Sequence, residues 1–146
     1  MDNEVIDKKE IKNKSKKVGI VSCSGEDLPE GSISRLATLE VLLKRKPLDT
    51  TTICLPLYIA GGEGDRLFAK KYPTITVDGC EKLCAKKATE KFSGKVSHSI
   101  NVKDFIKEGE KPVNRRNLNM QEKEIANKVA DEIEKNVDRI LKEGQD

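Results

Sequence analysis

The chain has 146 residues with 28 Lys and Arg, 25 Asp and Glu, four Cys, one His, and five aromatic residues without Trp. One domain of this length can bury a core without staples. No apolar run is long enough for a transmembrane helix, no apolar h-region marks a secretory signal, and the small net charge of +3 with so few stacking rings does not fit nucleic acid.

Residues 1–17 carry 10 charged residues. Residues 1–16 read as a flexible, solvated arm, and 17–146 as a single α/β domain. Lys17 to Cys23 is a short apolar run ending in small residues, which predicts a buried strand. The Gly, Pro and acidic residues from Ser24 to Gly31 predict a loop. Ser32 is expected to cap a helix from Ile33 to Arg45, ending at Pro47.

The β-branched residues from Thr50 to Leu55 predict a second strand, prolonged as an extended segment through Leu57–Ala60. Gly61, Gly62 and Gly64 form a turn read as a close backbone pass beside the thiols. A short helix follows from Asp65 to Lys71, then a third strand over Thr74–Val77. Cys80 to Phe92 is read as a helix with Gly94 just beyond its stop. Val96 to Val102 alternates as a fourth strand, and 103–120 is irregular apart from a turn near Asp104 to Ile106. Ile125, Val129, Ile133, Val137 and Leu141 recur every four residues on a last helix over 121–142, whose stripe is expected to cover the sheet.

This alternation of strand and helix predicts a three-layer α/β sandwich with a mainly parallel four-stranded sheet, flavodoxin- or Rossmann-like, in the order 2-1-3-4 with right-handed crossovers. In such sheets ligands bind beyond the carboxyl ends of the strands. Cys23 ends the first strand, Cys54 lies late in the second, and Cys80 follows the third. Cys84 is four residues further on, on the same helical face as Cys80 if the helix starts there.

Free amides at that helix start, with Lys82, Lys86 and Lys87, favour a thiolate at Cys80. Four cysteines in a reducing cytoplasm read as metal ligands or reactive thiols rather than disulfides. Thiolate is a preferred ligand of Zn²⁺. A thiol-redox or sulfur-carrier protein using Cys80 and Cys84, an iron–sulfur protein, and an interaction module whose cysteines merely pack are the alternatives. The last helix makes a homodimer conceivable.

Among the other features, Asp78 is read as a helix cap and His98 as a surface or core residue. Arg35 is read as a surface ion pair, with charge balance for a thiolate centre as the alternative. The loop of Ser24–Gly25 and Gly31–Ser32 is read as a plain loop, because Glu26, Asp27 and Glu30 oppose a bound phosphate. With one histidine and no adjacent nucleophile, a Ser-His-Asp mechanism has no support.

Cys23-Ser24-Gly25, the stretch from Gly31 to Ala37, and Val77-Asp78-Gly79-Cys80 followed by Cys84 together resemble the DGC-domain family, named after its Asp-Gly-Cys tripeptide. The resemblance covers 17–106. It implies a zinc site held by four cysteines, at positions matched here by Cys23, Cys54, Cys80 and Cys84, and implies no defined activity.

Overall fold

The computed structural model describes residues 17–144. The arm expected over 1–16 lies outside the described residues. Four strands form one parallel sheet in the order β2-β1-β3-β4. They are β1 (Val18–Ser22), β2 (Thr50–Thr52), β3 (Thr74–Asp78) and β4 (His98–Asn101). Helix α1 (Pro29–Glu40) continues into a π-helical turn (Val41–Arg45), α2 spans Leu55–Ala60, α3 Glu63–Lys71, α4 Cys84–Phe92 and α5 Met120–Glu143. A single 3-10 turn (Val102–Phe105) follows β4.

Period-two alternation along the central strands divides the core between the two faces of the sheet. Val18, Ile20, Ile75, Val77 and Ile100 pack against α1 and α5, and the four-residue stripe of α5 is buried there. Arg45 reaches Glu40, Asp131 and Glu134, and Lys46 reaches Asp138, so ion pairs tie the end of α1 to α5. On the opposite face Val21 and Ile53 meet Tyr58 of α2 and Ala85 of α4, with Phe68 of α3 packed alongside. A methyl at Gly19 would stand 2.5 Å from the Phe68 ring, so the absent side chain is what admits that ring.

Several element boundaries differ from the sequence expectation. Helix α1 starts at Pro29, a favoured first-turn residue, so Ser32 lies inside the helix and is not its cap. β2 stops at Thr52. Leu55–Ala60 is helical rather than extended, because Pro56 falls in its first turn, where a missing N–H costs nothing. Gly61, at φ 85°, closes α2 in the left-handed region, with nothing within 4 Å of where a Cβ would stand. Gly62 precedes α3, and neither it nor Gly64 lines the cleft that holds Cys23, Cys80 and Cys84.

Helix α4 begins at Cys84 rather than Cys80. Leu83 is in the left-handed region at φ 54°, so residues 80–83 form a turn that cannot propagate as helix. The long α5 has a complete capping box: Asn119 accepts from the Glu122 amide, and the Glu122 carboxylate accepts from the Asn119 amide.

A candidate thiol site at the carboxyl edge

In the order 2-1-3-4 the chain leaves β1 toward one side of the sheet and builds β3 on the other. The gap beyond the carboxyl ends of β1 and β3 is therefore the topological switch point. Cys23 directly follows β1, and Cys80 lies two residues beyond β3. Together with Cys84, in the first turn of α4, they line one cleft of about 590 Å³.

Two glycines, Gly31 and Gly79, make this convergence possible. A methyl on Gly31 would stand 1.9 Å from the Gly25 carbonyl oxygen, and one on Gly79 would stand 2.7 Å from the Gly31 nitrogen. The loop after β1, the start of α1 and the loop after β3 thus pass in backbone contact. A Cβ at Gly31 or Gly79 would force them apart, and with them Cys23 from Cys80.

Each loop is also pinned by hydrogen bonds. The Cys23 amide donates to the Val77 carbonyl at 2.9 Å. Ser34, fully buried in α1, donates to the Gly31 carbonyl at 2.6 Å, accepts from the Ser24 amide at 3.3 Å, and lies 3.5 Å from the Cys23 sulfur. Asn101, at the end of β4, donates its amide to the Cys80 carbonyl at 3.0 Å.

Asp78 explains how α4 is anchored. Its buried carboxylate accepts from the amides of Ala85 at 2.7 Å and Lys86 at 3.2 Å, capping the helix from the end of β3. The expectation that Asp78 caps a helix holds, with the helix starting at Cys84. In the Asp-Gly-Cys tripeptide, then, Asp78 fixes α4, Gly79 permits contact with α1, and Cys80 lines the cleft.

This placement changes the electrostatics expected of the thiols. Asp78 already occupies the positive end of α4, so the helix start is not free to favour a thiolate. The Cys84 thiol is raised above its ordinary value, first by burial, then by the Asp78 carboxylate, Cys23 and Cys80. Burial likewise raises Asp78, against the lowering effect of the two amides it accepts.

The four cysteines are not placed alike. Cys54 is exposed and precedes α2, where its amide donates to Asp65 at 2.9 Å. Its neighbour Leu55 lines the cleft and Cys54 does not. Among the described residues no three His, Cys, Asp or Glu side chains stand close enough to share a metal ion. A soft cation suits the chemistry of the three cleft thiols, but they must turn toward one another to close on it. His98 opens β4 at the opposite end of the strands, half-buried and lowered by burial and by Arg139.

Ser34 falls within the Gly31–Ala37 stretch that carries the family resemblance, but its hold on the Ser24 amide is not legible there. Asn101, which holds the other loop, acts on a carbonyl 21 residues away, and nothing local marks it.

The family model of the DGC domain matches residues 19–140, a span that takes in β1 and almost all of α5. Comparison with curated proteins and with solved structures gives no match.

Proposed function

The chain belongs to the DGC-domain family, and from that premise we propose that it is a zinc-binding protein whose ligands are Cys23, Cys80 and Cys84, with Cys54 as the fourth. The observation that carries this reading is the convergence of three thiols, from two strand ends and a helix start, on the cleft at the switch point of the sheet. Thiols distant in sequence and lining one wall are the donor set that Zn²⁺ takes. Once deprotonated, the three thiols and Asp78 make an anionic neighbourhood, which a divalent cation would relieve.

Each face of the sheet has its own cluster of buried apolar side chains. A storage or delivery role for the ion fits this better than a structural one. Free thiols of this kind suit the cytoplasm, which keeps them reduced. The thiol-redox alternative calls for a lowered thiol, and Cys84 is shifted the other way.

The test is elemental analysis and thiol counting on freshly purified full-length protein, beside single Cys→Ser variants. Stoichiometric zinc, lost in Cys23→Ser, Cys80→Ser and Cys84→Ser and weakened in Cys54→Ser, is expected. Protein free of zinc, whose thiols react equally fast with and without added Zn²⁺, would overturn the reading. Visible absorbance accompanied by iron would replace it with an iron–sulfur centre.

A further inference from the structure

The loop between β1 and α1 has a second side. There Ser24 and Glu26 meet Arg35 of α1, Arg115 and Arg116 of the stretch before α5, and Lys123 of α5, around a cleft of about 470 Å³. In this cleft four cations face Glu26, and Asp27 joins Glu26, Arg115 and Arg116 around a second cavity. Glu26 pairs with Arg116 at 2.9 Å, while Arg35 and Arg115 act on the Glu26 carboxylate only at longer range, and among the described residues none of Arg35, Arg115 and Lys123 forms a close ion pair. Arg35, expected to form a surface ion pair, forms none there.

The crowding is built rather than incidental. The Ser32 hydroxyl donates to the Arg115 carbonyl and fastens residues from opposite halves of the chain to one wall. Ser24 is held at φ 51°, a left-handed conformation uncommon for a residue with a Cβ. Gathering like charges raises free energy unless an anion is shared among them. Guanidinium groups match the oxygens of a phosphate in pairs, and a flexible ammonium adds a point charge.

We propose that this cleft binds a small phosphate-bearing molecule through Arg35, Arg115, Arg116 and Lys123, and that Glu26 is a built-in competitor which the phosphate displaces from Arg116. The loop read from sequence as too acidic for phosphate gains three of its four cations, Arg115, Arg116 and Lys123, from 89 to 97 positions beyond Glu26. A compact phosphate fits better than a nucleic-acid strand, because no aromatic ring lines the cleft to stack a base. Gly25, Asp27 and Leu28 of the same loop line the thiol cleft, so release of Glu26 frees a segment shared by both sites. The proposal does not depend on zinc.

The experiment is an amide-shift titration of isotopically labelled full-length protein, metal-free and zinc-treated. Inorganic phosphate and glycerol phosphate are added in turn, with ionic strength held constant by chloride. Saturable shifts over residues 24–28 and 115–116 are expected, and the tighter of the two probes identifies free phosphate or a phosphomonoester as the ligand. Arg115→Ala and Lys123→Ala, both at exposed positions, should each weaken binding by about three- to fivefold, and Glu26→Gln should strengthen it by a similar factor. Shifts that chloride alone reproduces, or an affinity that falls in Glu26→Gln, would overturn the proposal.

Discussion

Gly79 lies against the backbone of Gly31 so closely that a methyl group on it would stand 2.7 Å from the Gly31 nitrogen. Backbone atoms cannot swing aside as a flexible side chain can. Gly79→Ala should therefore destabilise the fold by about 1–3 kcal/mol and loosen whatever the cleft binds. Gly31→Ala, with the Gly25 carbonyl at 1.9 Å, should cost more. Gly64→Ala, inside α3 with nothing within 4 Å, should be neutral or stabilising by up to about 1 kcal/mol. Urea midpoints of the three variants check this ranking.

Asp78 caps α4 and raises the Cys84 thiol, and the two effects can be separated. Asp78→Ala should cost about 1–3 kcal/mol, because the amides of Ala85 and Lys86 lose their acceptors. Asp78→Asn keeps one oxygen acceptor and removes the charge, so it should cost less. In metal-free protein it should also shift the pH midpoint of Cys84 alkylation downward toward the ordinary value. An unchanged midpoint would show that burial, with Cys23 and Cys80, raises the thiol without Asp78.

Glu122 provides an acid-sensitive clamp at the start of α5. Burial would raise its carboxyl, but the amides of Asn114, Asn119 and Val113 and the Asn114 side chain outweigh that and hold it below its ordinary value of 4.5. A depressed folded-state value means that the stabilisation is fully present above the unfolded value and is lost as pH falls through the folded one. Glu122→Gln should thus be less stable than the parent at neutral pH, by about 1 kcal/mol or more, and the gap should narrow on acidification below the mid-4 range. Urea midpoints at pH 7 and pH 3 measure it.

Cys54 should behave differently from the other thiols. It is exposed, as Cys84 is, but unlike Cys84 it lies outside the cleft walls. In the metal-free protein it should alkylate ahead of Cys23 and Cys80, which are half-buried. Added Zn²⁺ should slow Cys23, Cys80 and Cys84 at least tenfold and Cys54 less. Peptide mapping after timed alkylation distinguishes them.

The sheet order and the helical periodicity of α5 were legible because both follow from repeating patterns of burial. The site was legible only in part. The placement of Cys23 and Cys80 follows from strand ends, which an apolar run reveals. Two boundaries moved because a single residue overrode the local pattern: Pro29 starts α1 early, and the left-handed Leu83 delays α4 to Cys84. Cys54 left the strand because Leu55 and Pro56 start a helix there. The basic cleft could not be read at all. Arg115 and Arg116 sit in an irregular stretch whose position depends on Glu122 and on the contact with Ser32.

The division of the core has a dynamic consequence. Among the described residues sixteen buried side chains form the cluster under α1 and α5, and only four form the cluster under α2, α3 and α4. The smaller cluster should open first, as a cooperative unit of lower free energy than global unfolding. Cys84 begins one of its helices, whereas Cys23 and Cys80 hang from the central strands. Local breathing of that thin layer would carry one thiol away while the other two stay in place, and under the proposed function its frequency would set the upper rate at which a bound ion leaves the cleft. Amide hydrogen exchange should accordingly be faster in α2 and α3 than along α5.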